Sequence, residues 1–553
     1  MMKGRDEMDV KKRCLLQAID QLREGSTVLW ILLIMNLSTT FLFGINSMSY
    51  VFITEVPKYW CSPPELLKAN WTIDQIKNIT AVDDCHTYKY NYSYLASKGY
   101  DKVSRYVKDV KFLPSVDSCS SFTFDESKRS TIVNEWSLVC DRKLYRANTF
   151  LVYSLGIVTG SGLLGTYADK YGRKNSLIIS IIFQVIAGPT SALVPWFWAY
   201  MIFRFFTGFS VGAMYSSAFT ILSEITKGNR RKFFAAGLDA SFSFGTFFLI
   251  GMAYFLPNWR QLQLAMSCFI LPMIVLIWWI PESPRWLISQ NRYDEAQKII
   301  EKYSKSFVMT QTSAAENQTN DSTLSSSECS PKLEENKGFF KRNSESLRIL
   351  FTQSDLRKKI LFMHFSYYVT AVASLTLAFN VDNFKSNRYI YLSILSINEV
   401  IANLATSVVL MFISCRKTLI INYFIGSSLM MAIIAVPEDN KNIIFGLALT
   451  AKFCTSASFT TNLVLNSELF PTNVRNTAFG TCIVMGQLGS LTAPYVVDLL
   501  GDLIWYAPTT FCGLLSLTVG LLGLLTPLTK IDDENDCTVV KNRFNTIEIH
   551  RGG

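Results

Sequence analysis

Four ionisable side chains sit inside long apolar runs of this chain: Asp239, Glu399, Lys452, and Arg204 within Phe203-Arg204-Phe205-Phe206-Thr207-Gly208. A charge in a hydrocarbon-length segment costs free energy, so each is a candidate for meeting a charged partner. Glu399 falls roughly 11 residues into its run, ~16 Å of helix, near the middle of a membrane; Asp239 lies ~10 Å into its own. Lys452 is also near mid-run. The chemistry on offer is electrostatic. The two acids suit a protonated amine and Lys452 a carboxylate, or Glu399 and Lys452 satisfy each other as a buried salt bridge. Arg204 reads as structural. Tyr215 and Phe219, four apart, face one way on a helix, where cation–π attraction supplies ~0.5–2 kcal/mol to an organic cation; packing against lipid or protein is the plainer role for such rings.

A second constellation occurs twice. Ser223-Glu224 is followed by Arg231, and Ser467-Glu468 by Arg475, each at the end of an apolar run; all are related by one 244-residue shift, which also carries Asn229 onto Asn473 and Arg173 onto Lys417. Such a repeat predicts two parallel halves around a central site. Between the second and third runs, Gly165-Thr-Tyr-Ala-Asp169-Lys170-Tyr-Gly172-Arg173-Lys174 combines a turn glycine with Asp169 and Arg173, which can pair across helix ends.

These residues need elements to hold them. Apolar residues are 49% of the chain and charged residues 17%, against ~25% in soluble domains. About twelve stretches have the ~20-residue length of a membrane-crossing helix: residues 27–50, 147–167, 175–195, 197–222, 233–255, 261–280, 360–380, 389–413, 418–436, 441–464, 477–500 and 503–528. Lys3, Arg5, Lys11, Lys12, Arg13, then Lys170, Arg173, Lys174, then Lys227, Arg230, Arg231 and Lys232 fall on one side if the spans alternate, and the positive-inside rule makes that side cytosolic. Much of the net charge of +10 therefore lies in loops at membrane edges, which argues against nucleic-acid binding. The expected order is a cytosolic segment 1–26, the first span 27–50, an extracellular domain 51–146, five spans in 147–287, a cytosolic insert 288–359, six spans in 360–528 and a cytosolic tail 529–553. No cleavable signal peptide is evident.

The extracellular segment holds Cys61, Cys85, Cys119 and Cys140, expected to form two disulfides with three possible pairings. It also carries glycosylation sequons at Asn70, Asn78 and Asn91. The insert should be flexible around residues 310–335, flanked by short interfacial helices at 292–305 and 341–358. His86, His364 and His550 are scattered, and no phosphate-cradling motif occurs, so neither enzyme chemistry, a metal nor a cofactor is expected.

The Asp169 loop has the form of the signature loop of the major facilitator superfamily. Within it, Ser130-Thr131-Ile132-Val133-Asn134-Glu135-Trp136-Ser137-Leu138-Val139-Cys140-Asp141, Asn258-Trp259-Arg260, Pro281-Glu282-Ser283-Pro284-Arg285-Trp286-Leu287 and Glu468-Leu469-Phe470-Pro471-Thr472-Asn473-Val474-Arg475-Asn476 resemble the organic cation, anion and carnitine transporter family. The resemblance runs from about residue 27 to 528. It implies an all-α membrane protein of twelve helices in two six-helix bundles that rock about a midplane site, with a disulfide-stapled extracellular domain, in the plasma membrane with both termini cytosolic. It also implies that Asp169, Arg173, Glu224, Arg231, Glu468 and Arg475 form the cytosolic charge network of the gate.

For the substrate, the resemblance aligns Glu399 with an acid of the cation-carrying branch, places Asp239 where that branch has glutamine, and aligns Tyr367 and Tyr368 with a Trp-Phe pair. Gln487, in Gln487-Leu488-Gly489-Ser490, departs from the pattern: aspartate marks the cation carriers there and arginine the anion and carnitine carriers. Two acids against Lys452 favour a small cation or zwitterion, an amine or a carnitine-like or carcinine-like compound. Organic anion exchange through Lys452 and Arg204, or a non-transporting receptor or scaffold of the same fold, are the alternatives. The oligomeric state stays open.

Overall fold

The computed structural model describes Leu15 and residues 27–80, 82–109, 115–125, 129–225, 229–303, 347–382, 384 and 387–526. Of the side chains within helices, those at 27–29, 105–109, 223–225, 229–236, 239, 467, 472, 473 and 476 lie outside this description.

Long apolar sequences become helices because a backbone in hydrocarbon must satisfy its own hydrogen bonds. Spans 1 to 5 are Thr27–Ile53, Leu144–Tyr171, Arg173–Leu193, Phe197–Ile225 and Asn229–Phe255. Span 6 is broken into Trp259–Cys268 and Leu271–Leu276. Spans 7 to 10 are Ser354–Phe379, Arg388–Phe412, Cys415–Ala432 and Lys441–Leu469. Span 11 is Thr472–Tyr495, continued by a π turn at Val496–Leu500, and span 12 is Ala507–Leu525. Eleven of these segments are long and apolar enough to cross a membrane; span 5 has a shorter apolar stretch, Ala240–Phe255, in a helix of 27 residues. The repeat is visible in the backbone: spans 4 and 10 each have 29 residues, and both their bounds differ by 244.

Within the first bundle, spans 2 and 4 approach closely because glycines face each other. A Cβ on Gly160 would collide with the Phe209 carbonyl, and one on Gly208 with the Tyr153 carbonyl. Small residues let membrane helices gain van der Waals contact where no hydrophobic drive between them exists. Arg204 is 2% exposed and structural, as expected: it donates to the Asn46 carbonyl at 3.1 Å and Ser49 Oγ at 3.0 Å, and lies over the Tyr153 ring. The bundles meet along spans 2 and 11 and along spans 5 and 8.

The domain between spans 1 and 2 carries two antiparallel strand pairs, β1 (Tyr59–Cys61) with β4 (Phe122–Phe124) and β2 (His86–Tyr88) with β3 (Val116–Ser118). Of the three possible pairings, the cysteines adopt Cys61–Cys119 and Cys85–Cys140. Asn70, Asn78 and Asn91 are exposed; Asn91 also caps the helix Tyr92–Lys98 through Tyr94 N–H. On the opposite face, the expected interfacial helix at 292–305 is present as Tyr293–Tyr303, and its Ala296 and Ile300 bury Leu15. Of the expected helix at 341–358, residues 347–352 are helical and Ser354–Lys358 already opens span 7, while residues 341–346 and the flexible stretch 310–335 lie outside the described residues. Arg416, at the start of span 9, reaches the Gly523 and Leu524 carbonyls at the end of span 12.

Candidate functional site

Glu399 and Lys452 come together, as one of the two expected readings required. Span 8 presents Glu399 and span 10 presents Lys452, whose Nζ is 3.6 Å from Glu399 Oε1; their side chains are 21% and 4% exposed. Lys452 also donates to the Ser374 hydroxyl on span 7. The other oxygen of Glu399 accepts from Ser243 Oγ, 3.1 Å away on span 5. Glu399 is thus bonded to a cation within its own bundle and to a hydroxyl of the other. Two polar partners, one from each bundle, thus satisfy the two oxygens of this carboxylate. The partial exposure of Glu399 leaves it reachable, whereas Lys452 is enclosed. Asp239 stands one helical turn before Ser243 on span 5, but its side chain lies outside the described residues.

The aromatic candidates divide. Tyr215 and Phe219 stack at 6.1 Å and are half-buried; Phe43 at 5.8 Å from Tyr215, and Phe242 at 5.5 Å from Phe43, extend the wall. Tyr368 is half-buried, with its hydroxyl 3.2 Å from Thr492 Oγ1. Tyr367 is 2% exposed and packs into the second bundle, edge-on to Phe459. Gln487 is half-buried on span 11, two residues before Gly489, which lies against the Tyr368 carbonyl.

The Asp169 loop forms a local latch. Gly172 has φ 108°, a conformation open to glycine, and this turn brings the start of span 3 onto Glu282. Glu282 Oε1 accepts from Arg173 N at 2.9 Å and Lys174 N at 3.2 Å, while Trp286 Nε1 donates to the Asp169 carbonyl at 2.9 Å. A carboxylate at a helix N-terminus satisfies orphan amides and meets the positive end of the helix dipole. Asp169 and Arg173 pair with each other, and Arg475 Nε donates to the Phe470 carbonyl, 3.2 Å away. Glu468 is half-buried on span 10. The side chains of Glu224 and Arg231 are outside the described residues.

The face that carries the disulfide-linked domain holds what sequence reasoning missed. Arg146 on span 2 pairs with Asp498 of span 11 and lies 3.9 Å from Asp382 after span 7. Lys143 pairs with Asp502. Arg388, at the start of span 8, donates to the Val51 carbonyl at 2.6 Å and meets Glu55 at 3.1 Å. Beneath these charges Tyr50, Phe150 and Phe379 pack as a triad with ring centres 4.9–5.3 Å apart. Asp498 sits in the π turn that follows Pro494 inside the helix; proline withholds an amide, and a π turn re-aims the side chains beyond it. The charge pairs and the two contacts of Phe379 tie one bundle to the other, so the mouth on this face is shut. An acid four residues after a proline in an apolar run, facing a basic pair at the foot of span 2, was the available signal.

A family model described as sugar (and other) transporter matches residues 86–534. An organic cation transporter protein of Drosophila melanogaster is 29% identical over 494 residues, covering 88% of this chain and 87% of that protein. Organic anion transporter 3 of Sus scrofa is 30% identical, covering 72% of each chain. Among solved structures, the proton:xylose symporter XylE bound to 6-bromo-6-deoxy-D-glucose superposes with a TM-score of 0.55 at 15% identity, over 91% of this chain and 95% of that one. The fold is that of a major facilitator transporter, not of an enzyme. The chain belongs to the sugar (and other) transporter family, among its organic cation and organic anion transporters.

Proposed function

We propose that this transporter carries small organic cations, or zwitterions with an exposed amine, across the plasma membrane by rocking its two bundles about Glu399. The observation that carries the reading is the position of Glu399, a partly exposed carboxylate bonded at once to Lys452 and, across the bundle boundary, to Ser243. An arriving ammonium competes with Lys452 for this acid and loosens the link to Ser243, so occupancy and bundle motion share one group. The Tyr215–Phe219 wall offers π faces that tolerate varied shapes. Glu399, Asp239, Gln487, Tyr215, Phe219, Tyr368 and Lys452 form the proposed substrate set, with Tyr367 supporting it from inside the bundle. The name of the Drosophila relative, organic cation transporter, agrees with this charge preference.

Orientation follows from the basic loops: the ectodomain with its sequons faces outside, both termini face the cytosol, and Asp169, Arg173, Glu224, Arg231, Glu468 and Arg475 serve the cytosolic gate. The test is uptake of a labelled amine, a betaine and a dicarboxylate into expressing cells, with and without depolarisation. Amine entry should fall on depolarisation, since one charge crossing 100 mV is worth about 2.3 kcal/mol. Entry of the dicarboxylate alone, lost on Lys452→Ala and kept on Glu399→Gln, would instead establish the anion reading that Lys452 and the name organic anion transporter 3 favour.

A further inference from the structure

The segment Ser130–Asp141 is a sequence motif to which neither the substrate site nor the charge pairs give a task. In the structure it is riveted to the first bundle. Ser130 N donates to the Pro257 carbonyl at 3.2 Å and Trp259 N to the Ser130 carbonyl at 3.1 Å, while Thr131 Oγ1 reaches the Glu55 carbonyl at 2.9 Å. Glu135 adds an ion pair to Arg260 and accepts from Trp259 Nε1. The returning end of the ectodomain therefore moves with spans 1, 5 and 6.

Arg129 stands at the start of this rivet, 4% exposed. Its Nη2 caps the end of span 5, donating to the Ala253 carbonyl at 2.9 Å and the Leu256 carbonyl at 2.7 Å, where the helix dipole favours a cation. Its Nη1 crosses to the second bundle and donates to Tyr389 Oη at 3.3 Å. Burial lowers the guanidinium pKa, yet an arginine stays charged, so it must find acceptors where it sits. Tyr389 is the residue after Arg388, which itself crosses to span 1. The first turn of span 8 is thus gripped twice from the other side.

We propose that Arg129 is a positioning residue of the transport cycle: anchored to the first bundle, it clasps Tyr389 of the second and so sets how often the ectodomain-side mouth opens. The ectodomain is then a working part of the gate. When the bundles part on this face, the bonds of Arg129 to the span 5 carbonyls persist and the bond to Tyr389 breaks.

Tyr389→Phe deletes that acceptor alone and keeps the ring against Phe52 and Tyr254. The reporter is a cysteine at Thr54, 4% exposed beneath the closed mouth, labelled on intact cells by a membrane-impermeant thiol reagent. Tyr389→Phe should raise the labelling rate per surface molecule about three- to tenfold, the scale of one net intramolecular hydrogen bond, and lower the apparent KM for external substrate as the competent fraction grows. Arg129→Gln should act in the same direction, with Arg129→Lys restoring part of the closure. Unchanged labelling and unchanged KM in Tyr389→Phe at normal surface density would overturn the proposal. If Arg129→Gln fails to reach the surface, Tyr389→Phe alone decides.

Discussion

At the scale of residues, the Glu399 carboxylate holds two partners in different bundles. Glu399→Gln removes the charge that an ammonium would seek and leaves the enclosed Lys452 without its counter-charge, held by Ser374. Uptake of a labelled amine should fall at least tenfold, equivalent to ~1.4 kcal/mol or more of lost interaction. Lys452→Met leaves the acid unpaired, and breaking one side of a buried pair costs ~3–5 kcal/mol. The Glu399→Gln/Lys452→Met double variant should therefore melt at a higher temperature in detergent than Lys452→Met alone, while still failing to carry the amine. Equal melting of single and double variants would show that the pair bears no load. Both residues were legible because a charge inside an apolar run is conspicuous. Their mutual contact was one of two readings until spans 8 and 10 were seen side by side. Arg146 and Asp498 escaped notice because each falls at the edge of a span, where charges are ordinary. Tyr367 shows the converse: adjacency to Tyr368 gave no means of telling which ring turns into its own bundle.

At the scale of elements, hydropathy located the spans because their length is dictated by the membrane, and the 244-residue repeat is matched in the bounds of spans 4 and 10. It did not foresee the break in span 6 or the π turn in span 11, since both depend on local hydrogen bonding rather than on apolar length. Helix approach gives a paired prediction. Gly160→Leu drives a side chain into the Phe209 backbone, whereas Gly162, two residues on, has open space around its Cβ position. Surface expression should collapse for Gly160→Leu and be kept for Gly162→Leu; equal expression of the two would refute the packing argument. In span 11, Asp498→Asn should release Arg146 from its closest partner and speed labelling of the Thr54→Cys reporter. Arg146→Asp combined with Asp498→Arg should slow it again.

At the scale of the molecule, two bundles are held together on the ectodomain face by charge pairs above an aromatic triad, with Glu399 bridging them nearer the middle. The disulfide pairing was beyond the sequence because four cysteines allow three arrangements; Cys61 in β1 bonds Cys119, just before β4, and Cys85, just before β2, bonds Cys140 at the foot of span 2. A mouth that is shut here must open for a substrate to pass from outside. Asn148 on span 2 and Tyr495 on span 11 touch across it. The decisive measurement is uptake by the Asn148→Cys/Tyr495→Cys variant before and after treatment with a short bis-maleimide, each single variant serving as control. Uptake should proceed in the untreated double variant and stop once the two spans are joined, with the single variants unaffected. Continued uptake by the cross-linked protein would contradict the alternating opening of the two bundles.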